Sequence, residues 1–574
     1  MKHLLKQLKA YRKESILGPL FKLLEAGFEL LVPLLVAAMI DQGVKLGDKS
    51  VIVRMSLMMV GLGLIGLLCS VTAQYFAAKA AVGSTTRLRR ALFAHLQTLS
   101  YTELDTIGAS TMLTRLTSDM NQVQSGVNLT LRLALRSPFV VFGAMVMAFT
   151  IDARAASVFA IVIPILFAVV FGVMIVCIPL YRKVQARLDR VLGMTRENLT
   201  GVRVLRAFGR EEEQKREFSA RNEALTKEQN HVGRISVLLN PVTYVIINLA
   251  IVALIRTGAL RVESGALSQG DVIALYNYMS QILVELIKLA NLVLNITRAA
   301  ACCNRIGAVL EIESSQHSPQ TEPETTADAP AIEFRRAGLR YAGAGGDALD
   351  GISFRAEKGQ TIGVIGGTGS GKTTLINLIP RFYDATEGSV LVDGVPVEQY
   401  PLESLRRRIG VVPQKAVLFH GTIRENLLWG DPDAGDGTLR EALRAAQAEE
   451  IVQGKEGGLD FEIEQGGRNL SGGQRQRLTI ARALVRKPEI LILDDSASAL
   501  DFATDAALRK ALRALPERPT VVIVSQRTSS IRHADQIIVL DNGHMVGLGT
   551  HEELLRTCEV YREIHESQYK KEER

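Results

Sequence analysis

The stretch TIGVIGGTGSGKTTLINLI, from Thr361 to Ile379, decides the fold of the second half of the chain. An apolar strand pattern comes first, the motif GxxxxGKT follows from Gly366 to Thr373, and an apolar helix pattern comes last. Such glycines let backbone N–H groups close around phosphate oxygens at the start of a helix, while Lys372 adds a positive charge and the Thr373 hydroxyl can bind magnesium. Motif and context together predict a phosphate-binding loop rather than a purely structural glycine turn. The residues predicted to hold the phosphates are Gly366, Gly367, Thr368, Gly369, Ser370, Gly371, Lys372, Thr373 and Thr374.

A second apolar strand, KPEILILDD, ends in two acids, Asp494 and Asp495. The first of them is placed to hold the magnesium complex, as the acid at the end of the Walker B strand does. The phosphate loop and this strand together predict a nucleotide triphosphatase core. These two motifs alone do not say to which family of nucleotide triphosphatases the chain belongs.

The segment LSGGQ lies about twenty residues before the second of these acids. It comprises Leu470, Ser471, Gly472, Gly473 and Gln474. With this segment the chain resembles the ATP-binding cassette (ABC) family, in which the signature opens a helix and caps the γ-phosphate of ATP held by the opposite subunit of a head-to-tail dimer. A serine hydroxyl, two glycines and a helix N-terminus suit that role. The resemblance therefore implies ATP and Mg²⁺ as cofactors.

Three further positions match landmarks of the family. Tyr341 resembles the aromatic residue that stacks on adenine, and Gln414 in VVPQ resembles the glutamine that senses magnesium and the attacking water. Asp501 ends SALD, which resembles the loop that passes between the two nucleotide sites. Taken singly, Tyr341 would be a core or surface tyrosine and Gln414 a solvated loop residue. Their order along the chain favours the functional interpretation, with Thr373, Gln414 and Asp494 facing the metal.

Two positions depart from the family pattern. The residue after Asp494 is usually a glutamate that acts as general base, but here it is Asp495, and the usual switch histidine is replaced by Gln526 in VVIVSQRTSS. One methylene fewer withdraws the carboxylate by about 1 Å, which can cost on the order of 100-fold in rate. A glutamine can donate a hydrogen bond but cannot carry a positive charge. Neutral drift is the alternative explanation. Both changes together predict catalytic positions of reduced competence, in a site that binds ATP firmly and turns it over slowly.

The intact LSGGQ can complete a site on a different chain. A partner that brings the missing Glu and His would supply the hydrolysis, so the sequence predicts a heterodimer with a second ABC half-transporter. It resembles the degenerate-site subunit of heterodimeric bacterial multidrug-type exporters.

Before the linker, the sequence contains six apolar runs, each near the roughly 20 residues that a membrane span requires. They cover residues 16–40, 53–80, 130–151, 155–180, 236–260 and 270–297. The connections after the second and fourth runs are about fifty residues each, charged and helix-patterned. By the family resemblance each contains a short helix that transmits ATP-driven closure, with segments 101–110 and 201–210 as candidates.

The fold class predicted is multidomain: a six-helix transmembrane domain at 1–308, a linker at 309–331, and a P-loop α/β ATP-binding cassette domain at 332–574. The linker contains ESSQHSPQTEPETTADAP, which has no apolar periodicity and cannot form a core. A charged tail, residues 569–574, is expected to fray.

The formal charge of +7 raises nucleic acid as a possible partner. The basic residues cluster instead before the first span and between the second and third, as in cytoplasmic segments of membrane proteins. The sequence therefore predicts a multi-pass protein of the cell membrane, with a cytoplasmic nucleotide-binding domain and no nucleic acid partner. The five cysteines lack zinc-ligand spacing and are interpreted as buried or reduced thiols.

Charged residues occur within two spans. Glu25 and Glu29 lie one helical turn apart on the first, and Glu285 and Lys288 are similarly placed on the sixth. They either line a substrate path or form pairs that steady the packing. The sequence leaves both interpretations open.

Family resemblance implies ATP-driven export of amphipathic small molecules, of drug or lipid class. Two alternatives stay open: a chiefly regulatory subunit that holds nucleotide while its partner hydrolyses, and an importer with an exporter-like fold. The spans exclude a non-membrane ABC protein. No motif specifies the transported substrate.

Overall fold

The computed structural model describes residues 1–326, 328–496 and 498–569. It divides into two compact units. The first contains residues 1–97 and 110–312, and the second contains residues 98–109 together with the chain from 313 onward. The tail expected to fray lies, after residue 569, outside the described residues.

The first unit is helical, and the described residues up to 312 contain six helical segments long and apolar enough to cross a membrane. These six contain the six predicted spans, which confirms that part of the fold class. The helices up to residue 310 are α1 Lys2–Leu8, α2 Arg12–Ala38, α3 Lys49–Leu96, α4 Tyr101–Ile107, α5 Ala109–Thr114, α6 Met120–Leu133, α7 Arg136–Ile151, α8 Ala153–Thr200, α9 Val202–Ala207, α10 Glu211–Val237, α11 Leu239–Glu263 and α12 Gln269–Leu310.

Polar side chains cap the N-termini of helices α3 and α8. The Asp48 carboxylate accepts hydrogen bonds from the amides of Ser50 and Val51 at the start of α3, and Asp152 accepts one from Ala155 at the start of α8. These contacts satisfy amides that have no partner within the helix. Helices α3 and α8 each continue for 48 residues. The predicted long connections are therefore mostly helical continuations of the spans, with the short helices α4 and α9 at the two candidate segments.

Small residues let the first spans approach closely. A Cβ on Gly18 of α2 would lie 3.4 Å from the Ala77 backbone nitrogen of α3, and Ala73, Ala77 and Ala80 are fully buried. Backbone proximity of this kind is how apolar helices associate where water supplies no driving force.

Arg136 joins three spans through their charged residues. Its guanidinium donates to Glu285 on α12 at 2.5 Å and to Glu29 on α2 at 2.6 Å, while Arg136 itself begins α7. Lys288 donates to the same Glu285 carboxylate at 2.8 Å. A buried charge requires such partners, since an unpaired one is costly.

Glu25 is paired separately, with Lys22 one turn earlier at 2.5 Å, and Lys22 is 7% exposed. Lys22 also donates to Ser70 Oγ at 3.1 Å. The charged side chains that the sequence singled out are therefore all paired. A role on a substrate path stays a prediction.

The second unit is an α/β domain. Its described strands are β1 Ile332–Leu339, β2 Leu349–Ala356, β3 Thr361–Gly366, β4 Glu387–Val392, β5 Val395–Pro396, β6 Ile409–Val412, β7 Gly421–Thr422, β8 Glu462–Ile463, β9 Ile490–Asp494, β10 Thr520–Val524, β11 Gln536–Asp541 and β12 His544–Gly549. Its helices after α4 are α13 Lys372–Leu378, α14 Leu402–Arg408, α15 Ile423–Leu428, α16 Asp436–Ala445, α17 Glu449–Gln453, α18 Gly472–Val485, α19 Phe502–Arg513, α20 Thr528–Ile531, α21 His551–Thr557 and α22 Glu559–Tyr569.

The main sheet has the order β12-β11-β3-β10-β9-β6, with all neighbours parallel except β11 and β12. A second, antiparallel sheet has the order β2-β1-β4-β5. Strands β9 and β10 are buried along their whole length, as expected for parallel strands covered on both faces. The carboxyl ends of β3, β9 and β10 consequently meet at one edge of the sheet. The phosphate loop and the two acids follow there.

Helix α4 belongs to this second unit. Ser100 and Glu103 form a capping box at its start, and Tyr383 Oη donates to Asp105 Oδ2 at 2.5 Å. The Tyr101 ring lies 4.9 Å from that of Phe382. The helix between the second and third spans therefore packs on the ATP-binding fold.

Residues 309 and 310 of the predicted linker are the last two of helix α12, whereas its described residues from 311 onward form no helix or strand. The part from residue 313 onward belongs to the second unit and hydrogen-bonds within it. Gln316 Nε2 donates to the Arg381 carbonyl at 3.2 Å, and Ser318 Oγ accepts from the Leu402 amide at 3.0 Å. The five cysteines, all within the described residues, are buried and free, as predicted.

Candidate nucleotide site

The phosphate loop follows β3 and ends at the start of α13. Gly371 has φ +96°, and a Cβ there would lie 2.8 Å from the Ala348 carbonyl oxygen. A Cβ on Gly366 would meet the Leu540 carbonyl oxygen at 2.2 Å. These two positions accept only glycine, because of backbone packing. Gly367 and Gly369 instead face open space within 4 Å, as a loop that admits a phosphate requires.

Lys372 Nζ donates to two carbonyls of its own loop, those of Gly366 at 2.9 Å and Gly367 at 2.6 Å. The pKa of its ammonium is below the ordinary value because burial disfavours the charge more than Asp495 and Asp494 favour it. A phosphate oxygen would offer this ammonium a stronger acceptor than a neutral carbonyl does.

Ser370 strengthens the fit to an anion. It is 3% exposed, and its Oγ has no hydrogen-bond partner among the residues that the structure describes. A buried hydroxyl without a partner is costly, and a phosphate oxygen would satisfy it. The loop is therefore chemically suited to hold phosphate.

Thr373 and Asp494 form the candidate metal position. Thr373 Oγ1 donates to Asp494 Oδ2 at 3.1 Å, and Asp494 is 5% exposed. Burial raises the pKa of the Asp494 carboxyl, although Thr373 and Lys372 act in the opposite direction. One carboxylate and one hydroxyl suit Mg²⁺, which takes its other ligands from water and phosphate. Within the described residues no group of three or more His, Cys, Asp or Glu side chains forms a metal cluster.

Asp495, Gln526 and Gln414 meet beside this position. Asp495 has φ +47°, and its amide donates to the Val524 carbonyl at 3.0 Å. Gln526 Nε2 lies 3.5 Å from Asp495 Oδ2. Burial raises the pKa of the Asp495 carboxyl, whereas Lys372, Arg527 and a hydrogen bond from Gln414 lower it. The two residues that depart from the family pattern are thus direct neighbours.

Tyr341 lies next to the phosphate loop. Its hydroxyl donates to Thr374 Oγ1 at 3.1 Å, and its ring is edge-on to Tyr383 at 5.1 Å. The residue is half-buried. Its contact with adenine stays a prediction.

The signature and Asp501 lie on other elements, each capping its own helix. Ser471 Oγ accepts from the Gln474 amide at 3.2 Å at the start of α18, and Asp501 Oδ1 accepts from the Thr504 amide at 2.8 Å at the start of α19. The two segments approach one another, since a Cβ on Gly473 would lie 3.2 Å from the Ala499 carbonyl oxygen. Among the described residues, the side-chain hydrogen bonds of the signature and of Asp501 stay within their own segments.

Several contacts of this site were not found from the sequence. Tyr383 links Tyr341 to helix α4, and Arg527 lies beside Asp495 and over the Phe502 ring at 5.2 Å. Neither belongs to a motif. The one available signal was the Ser-x-x-Glu pattern at Ser100 and Glu103, which predicts a helix start.

Comparison with known proteins identifies the family. The family described as ABC transporter transmembrane region matches residues 15–286, and the family described as ABC transporter matches residues 349–498. An uncharacterized ABC transporter ATP-binding protein of Mycobacterium tuberculosis is 38% identical over 566 residues, covering 98% of this chain and 97% of that protein.

A second relative, named ATP-dependent lipid A-core flippase, from Chromobacterium violaceum, is 30% identical over 577 residues and covers 99% of this chain and 97% of that protein. The fold matches a bacterial Atm1-family ABC exporter solved with ATP bound, with a TM-score of 0.80 and 23% identity over 97% of this chain and 98% of that one. The chain is a membrane protein with a cytoplasmic nucleotide-binding domain. It belongs to the ABC transporter family, as a half-transporter with an exporter-type fold whose ATP-binding domain implies ATPase activity.

Proposed function

We propose that this chain is one half of a heterodimeric exporter of amphipathic small molecules, and that its own nucleotide site holds ATP but turns it over slowly. The observation that carries the proposal is the pairing of Asp495 with Gln526 at 3.5 Å. A general base must reach the attacking water, and a carboxylate shortened by one methylene and engaged by neutral amides is poorly placed for that. Gln526 can donate to a γ-phosphate without adding charge.

The remaining residues keep roles in binding. The phosphate loop and Lys372 hold the phosphates, Thr373 and Asp494 hold Mg²⁺, and Tyr341 stacks on adenine. Gln414 faces the metal from the side of the attacking water. When bound, Mg²⁺ neutralises charge on the phosphates. The signature, Leu470 to Gln474, presents its helix N-terminus to ATP on the partner, whose Glu and His hydrolyse it.

The transport cycle proposed is alternating access. Two ATP molecules clamp the paired ATP-binding domains, helices α4 and α9 pass the closure to the spans, and hydrolysis at the partner's site releases the clamp. The contacts of α4 with Tyr383 and Phe382 support its part in this. A lipid-like substrate is supported by the relative named as a lipid A-core flippase.

The deciding experiment restores the two family residues. The double variant Asp495→Glu with Gln526→His should raise ATP hydrolysis by the purified chain by about 100-fold, since an Å-scale displacement of a catalytic group costs that much. Lys372→Ala added to the double variant is the control, because it must abolish the gained activity if that activity comes from this site. Rapid, substrate-stimulated hydrolysis by the unaltered chain alone would contradict the proposal.

Lys372→Ala in the complex with its partner separates a working clamp from a regulatory scaffold. A working clamp loses transport, whereas a scaffold keeps most of the complex's ATPase activity. Measuring the direction of transport of a fluorescent lipid in inverted vesicles then distinguishes export from import, since an exporter accumulates the lipid inside them.

A further inference from the structure

The last turn of helix α22 contacts the turn that carries Gln526. Gln568 Nε2 donates to the Gln526 carbonyl oxygen at 2.7 Å. Gln568 Oε1 accepts from the Thr528 amide at 2.9 Å and from Thr528 Oγ1 at 3.0 Å. One side-chain amide therefore holds the turn on both sides of Arg527.

The chemistry of these partners fixes the orientation of the amide group. A carbonyl oxygen can only accept and a backbone N–H can only donate, so Nε2 must face Gln526 and Oε1 must face Thr528. His565 Nδ1 lies 3.3 Å from Thr528 Oγ1. Because the Thr528 hydroxyl hydrogen points to Gln568, its oxygen is left to accept from His565. Glutamine is the side chain that meets both demands here.

Helix α22 is itself firmly anchored. Tyr561 is fully buried, and its hydroxyl lies 2.7 Å from His551 Nδ1 on helix α21. Thr528, the first residue of α20, is also fully buried. Gln568 therefore lies at the surface, yet its hydrogen bonds connect two elements that each have a fully buried anchor, Tyr561 in α22 and Thr528 in α20.

The backbone of the turn that Gln568 contacts determines where the Gln526 side chain points. The turn spans only residues 525–527, between β10 and α20. Within it, the Arg527 amide donates to Ser525 Oγ at 2.9 Å. Gln568 is the group that holds the backbone carbonyl of Gln526 itself, and from that backbone the Gln526 amide reaches Asp495. A displaced carbonyl would turn the side chain away.

We infer that Gln568 is a positioning residue for turnover at this nucleotide site, and that the C-terminal helix thereby sets the geometry of the switch position. The inference rests on the proposed function to the extent that Gln526 and Asp495 face the γ-phosphate. It goes beyond it, because it assigns a role to a residue in no motif, near the end of the described chain.

The test compares Gln568→Glu with Ser567→Ala in the full-length chain. Glutamate keeps the shape and the acceptor for Thr528 but cannot donate to the Gln526 carbonyl. Ser567 is the matched control, since its Oγ donates only within the helix, to Ile564 O at 2.8 Å. Gln568→Ala removes all three hydrogen bonds. The readouts are hydrogen exchange at residues 525–529, and kcat and KM for ATP in both the unaltered and the Asp495→Glu/Gln526→His backgrounds.

We expect faster amide exchange across the turn in Gln568→Glu, and exchange at Thr528 about five-fold faster in Gln568→Ala. In the background that turns over ATP, kcat should fall about ten-fold in both variants while KM changes less than two-fold. Ser567→Ala should change neither readout. Loss limited to kcat distinguishes positioning from a general structural role.

Three results would overturn the assignment: exchange like that of Ser567→Ala, faster exchange with unchanged kcat, or a joint loss of kcat, ATP affinity and thermal stability. Failure of the proposed function is visible separately. If the double variant is no faster than the unaltered chain, the slow-site proposal is wrong, whereas exchange and kcat in the unaltered background still decide the role of Gln568.

Discussion

The nucleotide site has two sides that differ in burial and charge. The holding side consists of Lys372, Thr373 and Asp494. Asp494 is 5% exposed and accepts a hydrogen bond from the Thr373 hydroxyl. The turnover side consists of Gln414, Asp495 and Gln526. Both of its glutamines are exposed, and Gln526 Nε2 lies 3.5 Å from Asp495 Oδ2.

This difference supports the proposal that binding ATP and hydrolysing it depend on separate side chains. The holding side brings the Lys372 ammonium near the buried acid Asp494 at the end of strand β9, where electrostatic interactions are strong. On the turnover side, the Asp495 carboxylate is contacted by the neutral side-chain amides of Gln526 and Gln414. A substitution on the holding side should therefore change ATP affinity, whereas one on the turnover side should change the rate of hydrolysis and leave the affinity intact.

The largest effect is expected on the holding side, for Lys372→Ala. With a phosphate bound, its ammonium would make charge-assisted hydrogen bonds of about 1.5–3 kcal/mol each, so the affinity for ATP should fall about 100-fold or more. Calorimetric titration of the full chain measures this. Lys415→Ala, an exposed lysine next to Gln414, is the control and should leave the affinity unchanged. A loss below three-fold would show that the loop backbone alone holds the nucleotide.

Gln414→Ala should act on the turnover side. Its amide contacts Asp495 rather than the phosphate loop, so turnover in the Asp495→Glu/Gln526→His chain should fall about ten-fold while ATP affinity changes less than two-fold. Steady-state kinetics and titration together measure the two quantities. If affinity fell as much as turnover, the two sides would not be separable.

The sequence predicted the holding side because its information is local. The phosphate loop, its strand and its helix are contiguous in the sequence, although the backbone atoms that exclude a Cβ at 366 and 371 belong to the distant residues Leu540 and Ala348. The six spans were predicted for a similar reason, since length and apolar composition suffice.

Contacts between distant residues could not be predicted. Arg136 lies 149 residues from Glu285, and Gln568 lies 42 residues from Gln526. Neither pair has a periodicity or a motif that would connect its members. The pairing is decided by how helices and strands pack, so the sequence named Glu285 as a charge within a span without naming its partner.

Asp494→Asn should reveal the cost of the buried acid on the holding side. Burial raises its pKa above the ordinary value of 3.8, so the folded chain binds a proton more readily than the unfolded chain. Stability from this group is therefore present at low pH and lost as pH rises through the folded pKa. At pH 7.5 the nucleotide-free variant should be more stable by roughly 1 kcal/mol, and the gain should shrink towards pH 4.

Thermal unfolding in detergent, followed by intrinsic fluorescence across that pH range, checks this, with an expected rise in Tm of about 2 °C. Asp433→Asn, an exposed acid, is the control and should show neither the gain nor its pH dependence. A lower Tm for Asp494→Asn at neutral pH would mean that the carboxylate is stabilised by Lys372 and Thr373 more than burial disfavours it.

The smallest effect is expected for Tyr383→Phe. This variant tests whether changes at the nucleotide site are transmitted to helix α4. The variant keeps the ring that touches Tyr341 but removes the hydroxyl that donates to Asp105. We expect ATP affinity to change less than two-fold, and transport per ATP hydrolysed to fall about two- to three-fold, since one hydrogen bond contributes about 0.5–1.5 kcal/mol. Tyr400→Phe is the control, because that hydroxyl donates to Val392 O at 2.9 Å within the ATP-binding fold. Equal losses in the two variants would mean that the Tyr383 hydroxyl only stabilises its unit and transmits nothing to the helix.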